Sequence, residues 1–306
     1  MQCYDAGNQQ HLEGGSSVNR FGAIVTGLIT GFFSGMTGVG GGAILVSLMV
    51  TLAGMGQHKA HGTSLAVIIS LAFFGAVAYA APQFFGWGGS ADYNYDWALA
   101  AYLIPSLAFP SMIGVIVGAK IMVKLPAKDL RRLFGWFLFF ISFTMLTRGL
   151  DRIIPGAFTI GTPPGQLQDW PFFVWPVLGF VAGIFSGILG IGGAMVMVPV
   201  MTLGAGIPQH LTQGITLAVI TLTTLTGAYT HYRLGNVDMK ATLAIAPAAV
   251  VAVSISGFLA TQIDAFWLTK VFGLAMAYFG YQFAFKTAKA PAAAAPPAAT
   301  TPAAAR

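Results

Sequence analysis

Residues 35–46 read GMTGVGGGAILV, with Gly38, Gly40, Gly41 and Gly42 crowded into five positions. Glycine runs of this type cradle pyrophosphate where a strand turns into a helix. Here no strand pattern precedes the run and no Lys-Ser/Thr follows it, so a nucleotide loop is disfavoured. The run lies inside an apolar stretch from Phe21 to Gly54. What glycine can do there is open a helix. The arm that restarts after the break, near Ala43, then begins with free N–H groups and the positive end of a helix dipole. Glycine also lets a ligand approach that backbone closely. The chemistry on offer is recognition of a small anion without a buried lysine or arginine.

The pattern occurs twice. GFFSGMTGVGGGAILVSLMV (31–50) aligns without gaps on GIFSGILGIGGAMVMVPVMT (183–202), at an offset of 152. Over positions 31–68 there are 18 identities in 38 pairs, which marks an internal duplication. The second break precedes Ala194. The candidate substrate-binding residues are therefore Ser34, Gly35, Thr37, Gly38, Gly40, Gly41 and Gly42 in the first copy. In the second they are Ser186, Gly187, Gly190, Gly192 and Gly193. Ser34 and Ser186 are equivalent and each precedes its break. Either hydroxyl can donate to an anion or bond back to the preceding helical turn. Thr37 aligns with Leu189 and would make the site asymmetric. The glycines also suit close helix packing or a sharp hairpin.

A second repeated element follows each break. Gln57-His58 recurs as Gln209-His210, and Thr63-Ser64 aligns with Ile215-Thr216. The hydroxyls at Thr63, Ser64 and Thr216 are placed to cap the next helix. Alternatively, Gln57, His58, Thr63, Ser64, Gln209, His210 and Thr216 form a gate or a proton-sensitive lip, since histidine titrates near neutrality. His61 and His231 have no histidine at their repeat positions and read as ordinary loop residues. Arg148 can pair with Asp151 or draw anions to an outer mouth.

These residues need elements to hold them, and the composition says of what kind. Of 306 residues, 56% are hydrophobic and 8% charged, with a mean hydropathy of +0.75. Soluble domains carry roughly a quarter charged residues, so this is an all-α polytopic membrane protein. Each half reads as one glycine-broken segment followed by three spans: 21–54, 63–81, 97–119 and 133–150, then 172–206, 214–230, 241–262 and 268–285. The organisation is a polar leader (1–20), a first repeat (21–150), a linker (151–171), a second repeat (172–285) and an Ala/Pro tail (286–306). None of the nine carboxylates falls in an expected span core, which speaks against a sodium site or a carboxylate proton relay. A lone cysteine, Cys3, precludes a disulfide within one chain. No cofactor, metal or nucleic-acid partner is expected; the net charge of +6 is better explained by membrane orientation.

The broken segment either crosses once or turns back as a hairpin of helices 21–37 and 43–54. Lysine and arginine prefer cytoplasmic loops. With the Lys120–Arg132 loop fixed inside, hairpins put 12 of the 15 basic residues inside and leave only Arg148, Arg152 and Lys270 outside. Single crossings split them 7 to 8. The expectation is therefore two inverted repeats, each a glycine-broken hairpin plus three transmembrane helices, with both termini cytoplasmic. Breaks at mid-membrane in inverted repeats point to a transporter site.

The double Gly-x-x-Ser-Gly-x-x-Gly-x-Gly-Gly pattern, at 31–41 and 183–193, resembles the TauE/SafE family of sulfite/organosulfonate permeases. The resemblance covers roughly 20–285, and the second copy continues to Val198-Pro199 where the first has Val46-Ser47. It implies a multi-pass carrier of the bacterial inner membrane for sulfite or short sulfonates such as sulfoacetate and isethionate. Only the resemblance supplies the sulfur; the residues themselves say anion. Rival readings are a carrier for a carboxylate or other anion, a passive anion channel, and an intramembrane serine hydrolase using Ser34. The last is disfavoured because the serine is duplicated and one active site needs one nucleophile beside its base. Oligomeric state is left open, a homodimer included.

Overall fold

The computed structural model describes residues 20–51, 55, 57–90, 93–122, 127–149, 170–189, 192–233, 235 and 237–285. The leader, most of the linker, the tail and Gly190 lie outside them. All elements are helical: α1 (Arg20–Thr37), α2 (Gly42–Thr51), α3 (Gln57–Phe85), α4 (Trp97–Met122), α5 (Ala127–Thr147), α6 (Val174–Leu189), α7 (Ala194–Pro199, continued as a π-helical turn over Val200–Gly204), α8 (Gln209–Arg233), α9 (Met239–Gln262) and α10 (Ala265–Ala284). Stretches of α3, α4, α8 and α9 are each long and apolar enough to span a bilayer. Large apolar side chains such as Phe73, Phe109, Phe140, Leu243 and Ile255 face outward, as lipid-facing helices require. The chain is an all-helical, multi-span membrane protein.

Small residues decide which helices meet. Gly27, Gly31 and Gly35 form one stripe on α1, and a Cβ on each would collide with α9: 2.6 Å from the Ile245 carbonyl oxygen, 2.3 Å from that of Ala249 and 1.9 Å from Ser256 Oγ. The repeat copy does the same elsewhere. Cβ atoms on Gly179 and Gly183 of α6 would lie 2.3 Å from the carbonyl oxygens of Leu107 and Ser111 on α4. Backbone-to-backbone contact of this kind is how apolar helices associate where lipid provides no hydrophobic drive. Thus α1 lies along α9, and α6 lies along α4. Each half lends its first helix to the fourth helix of the other.

The remaining pairings give direction. Between α3 and α8, Leu65 meets Gly227, Gly75 meets Leu217, and Tyr79 meets Gln213, so the two helices run antiparallel. Between α5 and α10, Gly135 meets Ala284 and Met145 meets Gly273, again antiparallel. One end of the molecule thus gathers His61 with His231 and Thr63 with Asp238. The opposite end gathers Ser90 with Thr261, His210 with Ile263, and Lys270 with the last carbonyls of α5. Arg20 belongs to the first end, because α1 runs parallel to α9 and α9 starts there.

The broken segments are hairpins. In an unbroken helix residues 30 and 41 would lie about 16 Å apart along the axis. Here a Cβ on Gly41 would lie 2.5 Å from Thr30 Cγ2, so the chain has folded back. The helices 20–37 and 42–51 match the expected arms 21–37 and 43–54 closely, and α7 starts at the expected Ala194. Two expected helix starts were late. The segments that the apolar pattern starts near 63 and 214 begin at Gln57 and Gln209. Their polar first turns are held by protein rather than water at the α8 end, where Gln209, His210, Thr212 and Gln213 are buried.

Candidate site at the paired helix breaks

Left-handed backbone opens both helices. Gly38, Gly40 and Gly41 have φ of 68°, 79° and 69°, and Gly192 and Gly193 have 82° and 80°. A side chain resists this conformation by about 1–2 kcal/mol per residue, so the sequence repeats glycine where the turn repeats. The returning arms also end alike. Met55 N–H bonds to the Met49 carbonyl at 3.2 Å, and Ile207 N–H bonds to that of Met201 at 3.0 Å, residues related by the same offset of 152.

The two breaks come together on α8. A Cβ on Gly40 would lie 3.3 Å from Ile220 Cδ1, and one on Gly192 would lie 3.3 Å from Ile220 Cγ2. Ile68, the repeat partner of Ile220, is also within 3.8 Å of that Gly40 position. Residues 152 apart in sequence therefore share one buried isoleucine as neighbour.

Around the first break the polar groups are specific. Leu45 N–H makes the first bond of α2, to the Gly41 carbonyl at 2.9 Å. The preceding amides, at 42–44, therefore have no acceptor within the helix. Ser34 is 1% exposed, and its hydroxyl has no hydrogen-bond partner among the described residues. The bond back to the preceding turn, the ordinary alternative for this serine, is absent. Thr37 takes that alternative, donating to the Phe33 carbonyl at 2.7 Å. Gly35 faces α9, and Gly38 packs on the side chain of Gln213. Gly42 starts α2 and is buried. At the second break Ser186 is buried, Gly187 is half-buried, and Gly193 packs on the Ala182 carbonyl.

Tyr79 and Gln213, which no local sequence pattern joins, close the end of α1. Tyr79 donates its hydroxyl towards Gln213 Oε1 at 2.6 Å and the Gly35 carbonyl at 2.7 Å, and Gln213 Nε2 reaches the Met36 carbonyl at 3.5 Å. The repeat partners of Tyr79 and Gln213 are His231 and His61. Those rings also meet, at 5.4 Å between centroids, at the other end of the same helix pair. They are helical residues, not loop residues as the sequence suggested. Four polar side chains at two repeat-related positions in apolar helices were the available signal.

The hydroxyls read as helix caps do other work, because α3 and α8 start about a turn and a half earlier. Thr63 Oγ1 accepts the Asp238 N–H at 2.9 Å, tying α3 to the loop before α9. Ser64 and Thr216 donate to carbonyls three residues back. Gln209 is buried, and its amide has no partner among the described residues. His210 Nε2 lies 2.8 Å from the Ile263 carbonyl, with Tyr93 edge-on. The side chains of Gln57 and His58 lie outside the described residues. Nearby, burial pushes the Tyr95 phenol up to about 12. Arg148 donates to the Thr202 carbonyl, and burial lowers its pKa; Asp151 lies outside the described residues.

Comparison with known proteins follows the same outline. The profile of the sulfite exporter TauE/SafE family matches residues 5–145 and 176–305, one segment for each copy of the motif. A probable membrane transporter protein of Bacillus subtilis, YunE, is 27% identical over 240 residues, covering 74% of this chain and 83% of its own. A probable membrane transporter protein of Xylella fastidiosa is 24% identical over 254 residues, covering 82% and 89%. A second from Bacillus subtilis, YdhB, is 43% identical over 72 residues, 24% of this chain and 29% of its own. No solved structure matches the chain. A duplicated helix break, a multi-span helical fold and a match along nearly the whole length lead to one assignment: the chain belongs to the TauE/SafE sulfite exporter family and is a membrane transporter, not an enzyme.

Proposed function

We propose that this protein is a secondary transporter of small sulfur-containing oxyanions, sulfite or short organosulfonates such as sulfoacetate and isethionate. It works by alternating access between two inverted repeats, 21–150 and 172–285. The observation that carries the reading is the convergence of both glycine breaks on Ile220. Broken helices that meet inside a bundle bring unpaired amides to one buried place, and that arrangement suits an anion. Inversion is supported by the directions of repeat-equivalent helices: α3 opposes α8, and α5 opposes α10. Had each broken segment crossed once, those pairs would run parallel. Arg20, Lys59, Arg233 and Lys240 fall at one end, which favours that end, with both termini, as cytoplasmic. The sulfur rests on the family, whose description names sulfite. A sulfonate or sulfite offers three acceptor oxygens to N–H and O–H donors, one more than a carboxylate.

Flux into proteoliposomes tests this. Labelled sulfite, isethionate or sulfoacetate is expected to enter saturably and to show counterflow, ahead of a carboxylate of similar size. Saturable flux of the carboxylate alone would overturn the substrate class. Flux without saturation or counterflow would make the protein a channel.

A further inference from the structure

We propose that the anion sits off the pseudo-symmetry axis, at the first break only, and that Thr30 is a binding residue alongside Ser34. This rests on the transport reading above. Four hydroxyls lie along α1, on Thr26, Thr30, Ser34 and Thr37. Thr26 and Thr37 donate to the carbonyls four residues back, both at 2.7 Å, which is the default for a helical threonine in an apolar setting. Thr30 and Ser34 depart from it. They are 0% and 1% exposed, and neither hydroxyl has a hydrogen-bond partner among the described residues. Two adjacent buried hydroxyls with no partner among the described residues are unfavourable unless something else receives their protons.

Their position says what receives them. They are one turn apart, so they share one face of α1. That face lies against Gly41, whose Cβ would fall 2.5 Å from Thr30 Cγ2 and 3.4 Å from Ser34 Cβ. Gly41 is the residue before α2, whose ten-residue helix begins with the acceptor-less amides of 42–44. Two buried hydroxyl-bearing side chains and the positive end of a helix thus lie against one glycine, where any added side chain would collide with Thr30. A group bearing several acceptor oxygens and a negative charge fits. A cation or an apolar group does not.

The second break lacks this set. The repeat partner of Thr30 is Ala182, and Gly193 packs against the Ala182 carbonyl instead. The duplication kept the turn and one serine but not the second hydroxyl. The geometry therefore makes the binding site one-sided.

The test uses full-length protein in nanodiscs and isethionate and sulfite as probes, read by calorimetry. Thr30→Val keeps the shape and removes the donor. It is expected to weaken binding by about 10- to 100-fold, the usual range for a lost hydrogen bond to a charged group. Thr30→Ser, which restores a hydroxyl, stays within about 3-fold of wild type, and Ser186→Ala loses several-fold less than Thr30→Val. If Thr30→Val does not fold, Thr30→Ala is read in its place. Wild-type affinity in Thr30→Val, or equal losses in Thr30→Val and Ser186→Ala, overturns the one-sided site while leaving the transport reading intact. If wild-type protein binds neither probe, the sulfur-oxyanion reading fails and this inference with it.

Discussion

Consider adding one methyl group to α1 by Gly31→Ala. The new Cβ would lie 2.3 Å from the Ala249 carbonyl oxygen and 2.8 Å from Ala252 Cβ. Both are more than half an ångström inside ordinary contact, and the first partner is backbone, which no rotamer change can move. Relief requires α1 and α9 to separate, and the close contact along Gly27, Gly31 and Gly35 is lost with it. Overpacking costs about 1–3 kcal/mol, and a rigid obstacle puts this site near the top. Alanine returns up to about 1 kcal/mol as a better helix former than glycine. The net is a loss of about 2 kcal/mol. At roughly 2–4 °C per kcal/mol, the apparent Tm in detergent should fall by about 4–8 °C. Gly183→Ala, against the Ser111 carbonyl at 2.3 Å, should behave alike, and because the two sites share no partner helix the double variant should fall about twice as far. Gly227→Ala is the control. Its Cβ would meet only the Leu65 methyls, at 3.3 and 3.8 Å, which can yield, so Tm should hold or rise. A Gly31→Ala protein as stable as Gly227→Ala would refute the backbone-contact argument for how the two halves are joined.

Other expectations follow from single contacts. Gly40→Ala and Gly192→Ala each force a side chain into φ near 80° and against Ile220, so each should lower anion flux at least 10-fold in proteoliposomes; unchanged flux in both would remove the breaks from the mechanism. Tyr79→Phe leaves the Gly35 carbonyl and the Gln213 amide short of a donor, a loss of about 1–3 kcal/mol. A Gln213→Leu change added to it should then cost less than it does in wild type, as a double-mutant cycle on Tm would register. In a protein whose Cys3 has been replaced, His61→Cys with His231→Cys should form an oxidative cross-link, whereas His61→Cys with Gln213→Cys should not, because the latter pair stands at opposite ends of the α3–α8 contact.

The hairpin arms were legible because glycine is the residue type that tolerates the left-handed turn, and because duplication displayed the pattern twice. Ala194 could be named as the start of α7 on that basis. The starts of α3 and α8 were not legible. An apolar window finds the part of a helix that faces lipid, and it misses a polar first turn such as Gln209–Gln213 that protein has buried. Of the proposed site, Ser34 is legible from its repetition. Thr30 was missed for the opposite reason: its partner is Ala182, so a search for symmetry discards it. The Tyr79–Gln213 bond joins residues 134 positions apart, and no local pattern links them.

The most direct measurement is the sidedness of single cysteines, introduced in place of Cys3 and labelled with an impermeant maleimide in intact cells and in inverted vesicles. Positions 20, 59 and 233 should react from one face of the membrane, and positions 97 and 172 from the other. Labelling of positions 20 and 59 from opposite faces would mean that the first broken segment crosses the bilayer, and the paired-break site could not exist.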